Sequence, residues 1–401
     1  MFKSIMGWVD DRLPVTEVMR SQALEYPTPK NLNYWWNFGS LALTMLIIQL
    51  LTGIFLAMHY KPDAMLAFDS VEHIMRDVNW GWLLRYMHAN GATFFFITVY
   101  VHILRGMYFG SHRSPREILW WFGVIIFFLL MATAFMGYVL PWGQMSFWGA
   151  AVITNLIGAI PVIGDPLLVW VWGGFTVGDP TLNRFFSLHF LLPFVIVGVV
   201  GLHVWALHAV HSNNPDGIDL EEKDTIPFHP YFTIKDLYGM GVLLIIFCSF
   251  LFFSPNFFLE PDNYIEANPM KTPPHIVPEW YFLPFYAILR SIDFLGSMSK
   301  LAGVVAMGGA IAILFVLPWL DRSPVRSFRY RPLSAGLFWI FLIDCFVLGW
   351  VGYNPANAVV MGLPIVVIGR TATAIYFSYF FLLWFVTAFN IEKPKPVPQS
   401  L

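Results

Sequence analysis

Cysteine is nearly absent from this chain: Cys248 and Cys345 are the only two in 401 residues. Both stand in apolar runs, which excludes a disulfide scaffold, a thiolate metal cluster and a Cys-x-x-Cys-His site for covalent haem. Charge is scarce too. Asp, Glu, Lys and Arg make up 12% of the residues, about half the usual share of roughly 25% in soluble domains. A soluble protein of this length could not cover its surface with so little charge, whatever domain count the length suggests. The net charge of −2 leaves no footprint for nucleic acid. The loops hold no Gly-rich phosphate motif and no nucleophile triad. The opening stretch MFKSIMGWVDDRLPV has acidic residues and no long apolar core, so no cleaved signal peptide is expected.

What is plentiful is apolar. The chain is 57% hydrophobic, and its 39 Phe and 17 Trp suit lipid-facing helices and interfacial aromatic belts. An all-α polytopic membrane protein follows. About 20 apolar residues cross the hydrocarbon layer, and runs with at most one charge place eight spans at 31–60, 86–104, 118–139, 185–215, 237–259, 301–320, 332–353 and 364–390. Asp344 interrupts the seventh; mid-span, it reads as a buried, hydrogen-bonded acid rather than a relay member. The Pro/Gly/Trp-rich stretch LPWGQMSFWG opens an interfacial loop, 140–183. Three regions result: 1–30, an amphipathic segment lying on the inner surface; 31–230, a four-helix bundle; and 231–401, a C-terminal membrane domain with an outer loop at 255–297. Eight spans put both termini on one side. Placing them inside leaves fifteen of the 23 Lys and Arg on inner segments and eight on outer ones, as the positive-inside rule asks.

Four histidines stand inside spans as two pairs, His88 with His102 and His189 with His203, each pair 14 residues apart. At about 100° per residue, such a step returns a side chain to within roughly 40° of the same face, about 21 Å further along. The second and fourth spans run parallel, so His88 faces His189 near the outer leaflet and His102 faces His203 near the inner one. Two facing imidazoles supply both axial positions of a haem, and the arrangement occurs twice. Taken singly, each histidine could be a hydrogen-bonded membrane histidine or a proton-relay group; the repeated spacing favours haem. No carboxylate or cysteine stands at ligand spacing for another metal. Gly39 and Gly53, and Gly123 and Gly137, repeat the same step on the first and third spans, where glycine would let a flat macrocycle approach the backbone. Arg85 and Arg105 each lie three residues from a ligand, as partners for haem propionates or as ordinary interfacial arginines. His59, His73, His112, His211, His229 and His275 lie in loops or at span ends and read as structural.

The stretches RYMHANGA, GYVLPWGQMSFWGA, SLHFLLP, FHPYFTIKDL and PEWYFLPFYAILRSI resemble the cytochrome b subunit of the cytochrome bc complex, ubiquinol–cytochrome c oxidoreductase, from about residue 34 to 390. Photosynthetic b/f-type relatives split this subunit in two and space their second histidine pair one residue wider, so one continuous chain resembles the respiratory type. The connection DFLGSMSK after Ile292 is longer than the family's usual turn. The resemblance implies two non-covalent b-type haems, an outer low-potential one on His88 and His189 and an inner high-potential one on His102 and His203. It implies that ubiquinol is oxidised near the outer face, one electron passing to an iron–sulfur partner and the other crossing to reduce ubiquinone near the inner face. It further implies a Rieske-type subunit, a cytochrome c-type subunit, a dimer of complexes, and a bacterial plasma membrane in preference to a mitochondrial inner membrane.

The same resemblance places the quinol site at Glu279, Pro278 and Tyr286, with Gly149 and Ile153 as its other wall. A carboxyl in an apolar pocket has its pKa raised and can take up a proton; the plainer reading of Glu279 is a structural hydrogen-bonding residue. For the inner site it implies a quinone between His208 and Asp236, with Asn37 and Ser40 nearby and Ser212 and Lys235 adjoining in sequence. His208 is a proton donor suited to neutral pH or simply an interfacial histidine. Two other functions account for part of the pattern. A di-haem anchor of a quinone-linked dehydrogenase explains the histidines but not PEWY, and a proton-coupled transporter would show repeats between its halves that are not seen here.

Overall fold

The computed structural model describes residues 2–401. Among them, eight helices are long and apolar enough to cross a membrane: Tyr34–Ala57, Gly81–Tyr108, Glu117–Val139, Asp179–Val210, Phe228–Phe253, Gly296–Leu320, Pro332–Tyr353 and Ile365–Ala388. They are numbered here as spans one to eight. Lys30, Asp216, Asp224, Tyr330 and Lys395 meet at one end of the bundle through hydrogen bonds, so the described stretches near both termini share that end.

At spans two and five, charged residues account for the difference from expectation. Span two runs well beyond its charge-free stretch because Arg85 and Arg105 sit inside the helix, where long side chains carry their charge toward the helix ends. Span five begins earlier than expected because Lys235 and Asp236 are hydrogen-bonded within it. Lys235 Nζ donates to the Leu32 carbonyl at 2.6 Å, and Asp236 accepts from Asn37 and Ser40 at 2.6 Å each. Pro255 lies just beyond its end. The first 30 residues do not make one amphipathic helix. Helices Phe2–Asp10 and Val15–Met19 are separated at Pro14, and Pro27–Pro29 is a short strand paired antiparallel with Thr225–Pro227. The interfacial loop folds as two short helices, Gln144–Thr154 and Gly164–Trp172.

Spans one and two pack together, as do spans three and four, and these pairs form the N-terminal bundle. In the C-terminal half, the short helix Leu283–Ser291 is seated between spans six, seven and eight. Three glycines admit it: a Cβ at Gly303 would lie 2.6 Å from the Leu289 carbonyl, one at Gly369 would lie 2.5 Å from Ser291 Oγ, and one at Gly352 would collide with the Leu283 carbonyl. Asp344 is buried in span seven, and its Oδ2 has no partner among the described residues, so the expected hydrogen-bonded acid is at most half satisfied.

An ionic cluster at the terminus-bearing end locks the last spans. Arg331, fully buried, pairs with both Asp321 oxygens at 2.6 and 2.8 Å and reaches Glu392 at 3.2 Å. Glu392 in turn accepts from the backbone N–H of Leu333 and Ser334, placing a carboxylate at the positive end of span seven. Asp321→Ala would leave Arg331 buried with half its partners. We expect a loss of about 3 kcal/mol, read as a lower melting temperature of the purified protein. Arg76→Ala, breaking the exposed pair with Glu72, should change it by less than about 1 kcal/mol.

Candidate functional site

The four span histidines meet as expected from their spacing. His88 and His189 have ring centroids 6.1 Å apart at the end opposite the termini, and His102 and His203 are 6.3 Å apart at the terminus-bearing end. Metal–imidazole bonds of about 2 Å on either side of one ion leave rings at such a separation. Each ring also lies against one of the four spaced glycines. A Cβ at Gly39 would lie 3.3 Å from His102 Cε1, one at Gly53 3.1 Å from His88 Cε1 and one at Gly123 3.4 Å from His203 Cε1, while one at Gly137 would collide with His189. Spans one and three thus give up side-chain volume at the level of every imidazole.

Hydrogen bonds fix how two of the rings present themselves. The Thr133 carbonyl lies 2.8 Å from His189 Nδ1, and a carbonyl only accepts, so Nδ1 carries the proton and Nε2 keeps its lone pair. Thr52 donates its hydroxyl proton to the Ile48 carbonyl and therefore accepts from His88 Nδ1 at 2.9 Å, with the same result. His102 differs. Its Nδ1 faces a guanidinium nitrogen of Arg105 at 3.3 Å, a group that can only donate, so ligation through Nε2 requires Arg105 to turn away. Arg105 has reason to do so: its Nε is buried without a partner among the described residues, and an anionic group beside it would satisfy it. No three of His, Cys, Asp and Glu gather as an ion site among the described residues. Each pair therefore offers two ligands only, which suits a macrocycle that brings the other four. The residues present fit haem.

At the end opposite the termini a cavity of about 250 Å³ is lined by Gly53, Arg85, His88, Gly137, His189 and Glu279. A second cavity, about 30 Å³, is lined by Gly149, Ile153, Pro278, Glu279 and Tyr286, together with Tyr138. The five residues expected to form one site do share one pocket, and Glu279 belongs to both cavities. Burial pushes its carboxyl up to about 7, against the pull of a hydrogen bond with Tyr138. The PEWY segment is anchored on span two, the helix that carries His88 and His102. Trp280 Nε1 donates to Thr93 Oγ1 at 3.2 Å, Tyr281 stacks on Phe96 at 3.9 Å, and the Tyr100 hydroxyl donates to the Tyr281 carbonyl at 2.5 Å.

The terminus-bearing end is less complete. Asn37, Ser40 and Asp236 are joined directly. His208 turns instead toward the N-terminal segment, its Nδ1 2.8 Å from Gln22 Oε1 and its ring stacked on Tyr26 at 4.4 Å. Ser212 donates to the neighbouring Asn213 carbonyl, and Lys235 is held by Leu32 and Tyr231. Sequence reasoning missed Thr52, Thr133, Tyr138 and the anchors Thr93, Phe96 and Tyr100. For the anchors a signal was present, since 93, 96 and 100 recur at helical spacing on one face.

The family model described as "Cytochrome b/b6/petB" matches residues 23–211, and "Cytochrome b(C-terminal)/b6/petD" matches residues 266–377. The chain is 60% identical to "Cytochrome b" of Rhodospirillum rubrum over 99% of its own length and 95% of that relative. It is 56% identical to "Cytochrome b" of Solanum tuberosum over 92% of this chain and 91% of the other. A solved chain from "Hyperthermophilic respiratory Complex III" superposes with a TM-score of 0.88 at 38% identity, covering 96% of this chain and 98% of that one.

Gly137→Val should test the cradle without replacing a ligand, since the added side chain crowds His189 and leaves its imidazole in the chain. We expect haem bound at that level to be lost, seen as a reduced haem-to-protein ratio with part of the b-type absorbance remaining. An unchanged ratio would mean that the glycine is not there for a macrocycle.

Proposed function

The chain belongs to the cytochrome b family of the cytochrome bc complex, and from that premise we propose that it oxidises a quinol near the end opposite its termini and reduces a quinone near the other. Cytochrome b is an integral membrane redox protein of electron transport, carries b-type haem, and is the core subunit of ubiquinol–cytochrome c oxidoreductase. Neither a dehydrogenase anchor nor a transporter accounts for a chain that matches cytochrome b along 99% of its length. The observation that carries the finer reading is the double placement of Glu279, which lines both the cavity of His88 and His189 and the pocket of Tyr286.

Bound at His88 with His189 and at His102 with His203, haem would supply one-electron redox capacity near each face, given room by Gly39, Gly53, Gly123 and Gly137, with Arg85 and Arg105 facing its carboxylates. At the quinol pocket, Gly149, Ile153, Pro278 and Tyr286 wall the ring and exclude water. Glu279 takes a proton from a quinol hydroxyl onto its carboxylate, and a group that titrates near 7 can also give that proton up to the outer water at little cost. One electron leaves to a Rieske-type iron–sulfur subunit, which serves a cytochrome c-type subunit, since the chain has no cysteine site of its own for a cluster; the other would pass by way of the two histidine pairs to the quinone at the far face. At the other site Asp236, ordered by Asn37 and Ser40, and His208 supply protons to a quinone oxygen, with Lys235 and Ser212 at the rim. In this reading that site and both termini face the cytoplasm of a bacterial cell, an orientation the positive-inside count supports, and the complex works as a dimer.

Glu279→Gln should slow quinol oxidation by roughly 100-fold while the b-type haem absorbance is unchanged. Glu279 accepts a proton only when ionised, so wild-type turnover should rise as pH increases through about 7 and the variant should lose that limb. The same pH profile in both would end the proton role. His208→Ala should slow reoxidation of b-type haem by added quinone and leave quinol oxidation intact, measured in the assembled complex.

A further inference from the structure

Resting on the reading that the pocket of Gly149, Glu279 and Tyr286 takes the quinol, we propose that Arg290 is a positioning residue for that site, holding the Tyr286 ring in place from behind. Both residues belong to the short helix Leu283–Ser291 and stand four apart, on one face of it. The Arg290 Cζ lies 4.8 Å from the Tyr286 ring centroid. On its other side the same guanidinium donates to the Val351 carbonyl at 2.7 Å and to the Asn354 carbonyl at 3.0 Å. These sit at the C-terminal end of span seven, where a helix leaves carbonyls without intrahelical donors and carries its negative pole.

Arg290 is therefore fixed by one element while its flat face is offered to another. Tyr286 is only partly buried and faces the pocket, so packing alone does not set its ring. An aromatic wall that pivots would change the fit of a quinol without altering any proton or electron step. A planar guanidinium can serve two carbonyls and a ring face together; a lysine ammonium, a point charge on a flexible stem, cannot.

The test is steady-state quinol oxidation by the purified complex carrying Arg290→Lys, Tyr286→Leu or both. Arg290→Lys should raise the quinol KM about three- to tenfold, with kcat, the visible spectrum and quinone-driven haem reoxidation unchanged. In the Tyr286→Leu background it should add nothing, because the ring it acts on is gone. Independent effects in the double variant, or a lower kcat at unchanged KM, overturn the clamp. A wild-type KM in Tyr286→Leu alone overturns the quinol-site reading beneath it. Arg290→Gln keeps a donor for the carbonyls without the charge and gives the same test should the lysine variant not assemble.

Discussion

An imidazole in the hydrocarbon layer has no water to bond, so the protein must satisfy it or use it. Four of them face one another in two layers here, each against a helix that has given up its side chain at that level. The rest of the N-terminal half follows from this. Spans one and two must pack closely enough for glycine to meet histidine, and spans three and four likewise. Thr52 and the Thr133 carbonyl then aim the two rings at one end with their Nε2 lone pairs free.

The C-terminal half serves a different purpose: it delivers a carboxylate to the edge of that core. The PEWY segment hangs between two anchorages. On one side Thr93, Phe96 and Tyr100 tie it to the helix that bears His88 and His102. On the other, the helix that follows it is bedded against glycines of spans six, seven and eight. Glu279 is thus held in register with an imidazole pair through the anchored residues that follow it, Trp280 and Tyr281, rather than by a bond to either histidine. Desolvation in that position brings its titration to about 7, the range in which a carboxyl can both take and release a proton.

Much of this was legible in the sequence. The eight spans follow from runs with at most one charge, and the histidine and glycine pairs from a step of 14 residues, because helical periodicity is a local property. Boundaries failed where a charged group found hydrogen-bond donors far away in sequence, as Asp236 does in Asn37 and Ser40, since no local rule foresees a bond across some 200 positions. The N-terminal segment failed through Pro14, a breaker given too little weight. Tyr138, Thr52 and Arg290 were invisible because their importance lies in contacts between spans. The proposed quinone site at the terminus-bearing end is the least formed, with His208 turned to Gln22 and Tyr26 and apart from the Asp236 cluster. Family membership, not geometry, carries that assignment.

The central claim is that these imidazoles hold two irons, one toward each face of the membrane. A potentiometric titration of the purified protein's b-type absorbance tests it most directly. Two one-electron components of equal amplitude, one vanishing with His189→Leu and the other with His203→Leu, are what the account predicts. A single component, or absorbance that survives both replacements, would contradict it.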